Sequence, residues 1–207
     1  MGRLEEGVTL VSQLQAIEPL AMFMSRDQQY NLTAARRFEE AEAEYQRSRT
    51  LDGDHRNPVF VAFLRLLARE DADPQALRAL YRQLFELPNT PVPRYIHDLG
   101  DKLQDRVGML TILRKDFEAR RDPSIRSYAD ALGDANLALA ALRAMWKGRN
   151  PDFRAYWELW LAPYSSMRTL PGFKELMREV GLVDYWRQTG DWGDVCKPVG
   201  KTDFECN

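Results

Sequence analysis

Histidine and cysteine are scarce in this chain: its 207 residues hold two of each. His55 follows Asp52-Gly53-Asp54 in an expected turn and His97 lies far from it. No His-x-x-x-His, Cys-x-x-Cys or calcium-loop spacing accompanies either, so no metal site and no cofactor are expected. Also missing are the G-x-x-x-x-G-K-[ST], G-x-G-x-x-G and G-x-S-x-G strings that cradle phosphates or raise a nucleophilic serine. Surplus charge is absent as well. Lys+Arg 29 against Asp+Glu 31 leaves a net charge of -2, which gives no electrostatic reason to seek nucleic acid or anionic lipid. No apolar run approaches the roughly 20 residues that span a bilayer, and no basic start followed by an apolar stretch opens the chain. These absences predict a non-catalytic chain with no direct nucleic-acid contact, no membrane insertion and no export signal of its own.

What is present is periodicity. Gly2-Arg3-Leu4-Glu5-Glu6-Gly7-Val8 aligns with Arg36-Arg37-Phe38-Glu39-Glu40-Ala41-Glu42 at a spacing of 34. Leu4 falls on Phe38, Gly7 on Ala41, Val11 on Tyr45 and Ile17 on Leu51. Glu18-Pro19 and Asp52-Gly53 then stop each helix, because Pro cannot continue it and Gly can close it. The small Gly7 and Ala41 allow a close helix approach, and Val11 and Tyr45 fill the space above. Glu39, Glu40, Glu42 and Glu44 interleave with Arg36, Arg37, Arg47 and Arg49, the pattern of an exposed helix face with local ion pairs rather than of acid/base chemistry.

Small, aromatic, small and stop positions in one register resemble the tetratricopeptide (TPR) family. That resemblance implies an all-α fold, an antiparallel helix-hairpin solenoid in which each unit buries its apolar face only by stacking. Met22 to Ala35 reads as the first helix of a unit. No such helix fits before Leu4, so the chain is expected to begin inside a repeat, as a piece of a longer protein would. Downstream, Pro58 to Arg69 reads as a helix, and Asp73-Pro74 as the cap and first turn of the next, carrying Leu77, Leu80, Tyr81 and Leu84. Leu87-Pro88-Asn89-Thr90-Pro91-Val92-Pro93 is the clearest break, followed by helices near Arg94 to Lys102 and Asp105 to Arg120. The repeat is degenerate over 88–122. It returns at Ala131 to Ala138, where Gly133-Asp134 is placed as a hairpin turn and Ala138, Leu142 and Met145 take the packing slots.

The last fifty residues carry a second resemblance, through Arg168, Pro171, Phe173, Leu176, Gly181, Leu182, Tyr185, Trp186, Trp192 and Cys196. They are similar to the ending of bacterial TPR regions attached to winged-helix transcriptional regulators and nucleotidyl-cyclase-like proteins. Residues 1–163 are thus read as helical repeats, and 164–207 as capping helices with a cysteine-bearing tail. Phe153, Tyr156, Trp157 and Trp160 read as helix packing. Cys196 and Cys206 are the only cysteines, and the Pro and Gly between them can turn the chain back, so a disulfide is expected. Related regulators place this region in the periplasm beyond a membrane anchor, where thiols are oxidised; the cytoplasm is the alternative.

The expected function is a protein-protein interaction scaffold, the partner-binding or sensory part of a larger bacterial regulator. In the family's geometry its concave groove would be lined by Phe23, Arg26, Tyr30 and Thr33. Arg26 could pair with a peptide carboxylate and Tyr30 offers a flat face with a hydroxyl. The partner would be a protein or peptide, and a homodimer is left open. The alternative is a small-molecule sensor with a pocket among the middle helices around Tyr95, His97 and Arg114.

Overall fold

Apolar residues recurring at helical spacing between caps generate nearly all the regular structure. The computed structural model describes residues 2–51, 56–85, 94–147, 159–160 and 166–207, excepting the side chains of residues 56, 57, 85, 94 and 147. Its helices are α1 (Leu4–Ile17), α2 (Met22–Ala34), α3 (Phe38–Ser48), α4 (Arg56–Leu67), α5 (Pro74–Phe85), α6 (Arg94–Gly100), α7 (Arg106–Arg120), α8 (Arg126–Ala131), α9 (Ala135–Lys147), α10 (Pro171–Glu179) and α11 (Leu182–Thr189). Short 3-10 turns at Pro123–Ile125 and Ser166–Thr169 precede α8 and α10. None of the described helices is long and apolar enough to cross a membrane. The His55 turn, the 87–93 break, the Phe153-Tyr156-Trp157 helix and the 163/164 boundary lie outside the described residues.

Local chemistry sets the helix ends. Asp73 accepts from the amides of Gln75 and Ala76 to open α5, and Asp105 accepts from Gly108 to open α7. The turns α2–α3 and α8–α9 close in the same way. Arg37 N donates to Leu32 O and Arg36 N to Thr33 O; Asp134 N donates to Ala129 O and Gly133 N to Asp130 O. Both turns place a left-handed residue after the helix, as a Schellman end requires. In one that residue is Gly133, φ 82°; in the other it is Arg36, φ 61°. The correspondence continues along both hairpins: Ala41 and Ala138 are fully buried, and so are Tyr45 and Leu142.

Sequence-adjacent helices pack against each other at α1–α2, α2–α3, α4–α5 and α8–α9. Ala41 sits with Val8 and Leu32 where α1, α2 and α3 meet. A Cβ on Gly7 would come within 3.2 Å of Asn31 Oδ1, so the glycine admits the α2 side chain. The main core gathers α4, α6, α7, α8 and α9 around Phe63, Tyr95, Leu113 and Tyr128; the Tyr128 ring meets Tyr95 edge to face at 5.9 Å and Phe60 at 5.6 Å, and lies 6.3 Å from Phe63.

The C-terminal tail departs from the all-helical expectation. Cys196–Val199 (β1) and Asp203–Cys206 (β2) form an antiparallel hairpin in which Cys196 faces Cys206 and Pro198 faces Phe204. The two cysteines are joined by a disulfide, with Cα atoms 4.0 Å apart. That separation lies nearer a directly opposed cross-strand pair than the wider range of disulfides in general. Phe204 meets Trp186 edge to face and packs at a tilt against Trp192, and Trp186 reaches Trp160. The terminal segment covers more than the last helix. Arg143 of α9 bonds Gly172 O and Glu175, while Asp194 N donates to Gly2 O and Asp191 pairs with Arg3 at 2.6 Å. The segment therefore bridges the last hairpin to the first helix.

Candidate partner-binding groove

An open groove of about 890 Å³ lies between α3 and α5, floored by α4. Spacing of three and four residues builds each wall. Phe38, Glu42 and Tyr45 face it from α3 with Arg49 just past its end, Ala76, Ala79, Leu80 and Gln83 from α5, and Ala62, Arg65 and Leu66 from α4 with Arg69 just beyond it. Small alanines on floor and wall leave room for a backbone, and Leu66, Leu80 and Phe38 make the surface apolar. The Tyr45 hydroxyl donates to Gln83 Oε1 at 3.2 Å, tying α3 to α5. A smaller hollow of about 180 Å³ shares Tyr45, Arg49 and Gln83 with the groove. Burial pushes the Tyr45 hydroxyl above its ordinary pKa, with smaller opposing effects from Arg49 and Arg65.

Arg65 is the most constrained charge here. It is 7% exposed and pairs through Nη2 with Glu42, while its Nη1 has no hydrogen-bond partner. A buried guanidinium with one open nitrogen is an orphan donor, a costly state unless something supplies an acceptor. Arg49 adds positive charge on the same lining, against Glu39 and the Glu42 already taken by Arg65, while Arg69 is paired with Asp71 at 2.9 Å. The arrangement can seat an apolar segment and accept a carboxylate.

The residues expected from the sequence are distributed differently. Phe23 is 56% exposed at the start of α2. Arg26 is held by its neighbour Asp27 at 2.6 Å. Tyr30 is half-buried against the main core, and Thr33 is 2% exposed with its hydroxyl unbonded. The four do not share one open face. Tyr95 lies in the core with its hydroxyl 2.7 Å from Ser124 Oγ, and burial raises its pKa. Arg114 is on the surface, paired with Asp134 at 2.7 Å, and His97 is exposed. These three do not converge either.

Arg65 was legible only as an oddity, the single charge inside Pro58-Val59-Phe60-Val61-Ala62-Phe63-Leu64-Arg65-Leu66-Leu67. A second buried polar set carries no sequence signal. Asp130 on α8 is 1% exposed with neither carboxylate oxygen hydrogen-bonded, and desolvation pushes its pKa up to about 6 against the pull of Arg126 and Arg168. Its counterpart on α2 is Thr33, likewise buried and unbonded. No group of three or more potential metal ligands occurs among the described residues. No protein-family model, no curated protein and no solved structure matches the chain.

Proposed function

We propose that this chain is a non-catalytic partner-binding module of helical hairpins, TPR-like in design, that seats a short amphipathic helix of its partner in the α3–α4–α5 groove. The observation that carries the reading is the buried, half-satisfied Arg65 at the base of an apolar groove. The wall from Phe38 to Arg49 extends about 16 Å, the length of roughly three helical turns, and helix-in-groove recognition uses apolar anchors at that spacing. An acidic residue on the occupant would meet Arg65 and Arg49, completing a charge-assisted pair away from water. The module is read as part of a larger bacterial regulator, and the Cys196–Cys206 disulfide favours a periplasmic setting over a reducing one.

Selection from a displayed library of three-turn amphipathic helices tests this. Binders should carry Asp or Glu, and should lose the parent chain when Ala79→Arg fills the groove or Arg65→Met removes the charge, while Arg26→Ala on α2 leaves binding intact. Binders indifferent to Ala79→Arg and lost with Arg26→Ala would move the interface to α2.

A further inference from the structure

A second cavity, of about 250 Å³, lies where the C-terminal segment meets α1 and the end of α2, away from the α3–α5 groove. Two arginines line it. Arg168 is 4% exposed, and two main-chain carbonyls fix its plane: Nη2 donates to Trp160 O at 2.9 Å and Nη1 to Asn207 O at 3.3 Å. Its Nε has no hydrogen-bond partner, and its charge feels the attraction of Asp130 and the repulsion of Arg36 and Arg126. Arg36 stands at the left-handed position of the α2–α3 turn, φ 61°, where the equivalent α8–α9 turn uses Gly133. A non-glycine residue is strained there, and the Arg36 side chain makes no hydrogen bond or ion pair among the described residues. Arg121 at the end of α7 takes the same conformation, φ 54°, but its guanidinium lies over the Phe117 ring at 5.2 Å; Arg36 keeps the conformation beside Arg168 with no such partner among the described residues.

The opposite rim is acidic. Asp194 spends Oδ2 on the Glu5 amide, and Glu5 spends Oε2 on Arg37 at 3.0 Å, leaving one carboxylate oxygen on each. Leu4, Ala34 and Val195 supply apolar surface between the two ends. A bare anion would face the two carboxylates, and a bare cation the two guanidiniums. The volume falls below the roughly 300 to 1,000 Å³ of drug-sized sites. We propose that this cavity binds a free α-amino acid with a compact apolar side chain, its carboxylate on Arg168 Nε and the Arg36 guanidinium, and its ammonium between Asp194 and Glu5.

The test is thermal unfolding of the whole chain with each of the common amino acids, sodium acetate, methylamine and inorganic phosphate, on the parent and on Arg36→Gly. Glycine suits the left-handed position, so the variant should fold and its unliganded midpoint should rise by about 2 to 4 °C. One or more small apolar amino acids should raise the parent's midpoint, as ligands of the native state do. Acetate, methylamine and phosphate should fall short, and Arg36→Gly should weaken the amino acid at least about tenfold. No amino acid shifting the parent would overturn the proposal. So would acetate or phosphate matching the amino acid, or Arg36→Gly binding as the parent does.

Discussion

Asp194 accepts a hydrogen bond from the backbone amide of Glu5 at 2.9 Å, across 189 positions of sequence. The first turn of α1 has no side-chain cap of its own, since Arg3 stands at its N-cap, so the C-terminal segment supplies the carboxylate that the helix end requires. Asp194→Ala should therefore lower stability by about 1 to 2 kcal/mol, the ordinary worth of an N-cap. Asp194→Ser should restore much of it. Chemical denaturation of the three forms checks this, and equal midpoints would show that the terminal segment does not cap α1.

Ala41 and Ala138 hold equivalent places in their hairpins, each fully buried at a helix crossing. Ala41→Trp should cost at least about 1 to 3 kcal/mol through overpacking. Ala43, two residues along on the exposed face of the same helix, should accept Trp within about 0.5 kcal/mol. Comparable losses at both positions would dissolve the packing register.

Asp130 should make stability fall as pH rises. Its folded pKa of about 6 lies above the ordinary 3.8, so between those values the folded chain holds more proton than the unfolded one. Stability is then greatest below about 3.8 as far as this group is concerned, declines to about pH 6, and is level beyond, the difference being on the order of 3 kcal/mol. The ion-paired Asp203, shifted down first by its hydrogen bond from Lys174, acts in the opposite sense and at lower pH. Asp130→Asn should flatten the slope between pH 4 and 6 and raise stability at pH 7. A pH profile unchanged by Asp130→Asn would contradict this.

The helices were readable because their determinants are local: apolar spacing in α5, the Asp73-Pro74 start, Gly133 in its turn, and Gly181 splitting the terminal helices. The β-hairpin was not, since Pro198 argues against a strand, and the contacts that hold it, the disulfide, the Lys197–Glu205 pair and the pairing of Asp203 with Lys174 and Arg178, join residues whose proximity no local pattern announces. Nor was the groove. Glu42, Tyr45 and Arg49 sit among alternating charges that read as a solvated face, and Arg65 shows its burial only once α3 and α5 flank it. Arg36 gave no signal, because a left-handed turn is read from glycine.

The disulfide between Cys196 and Cys206 closes a loop of sequence separation 10. Its removal as the double Ser variant should cost about 2 to 3 kcal/mol on the chain-entropy account, and should quench less of the Trp186–Trp192 contact than unfolding does. Reductant should lower the parent's midpoint and leave the variant's unmoved.

The most direct test of the groove is a double-mutant cycle between Arg65 and the acidic residue of a selected helix, with Arg65→Met on one side and Glu→Gln or Asp→Asn on the other. Binding titrations of the four combinations should give a coupling of at least about 1 kcal/mol, since each partner desolvates the other's charge. Additive losses, with the coupling near zero, would contradict a carboxylate seated on Arg65.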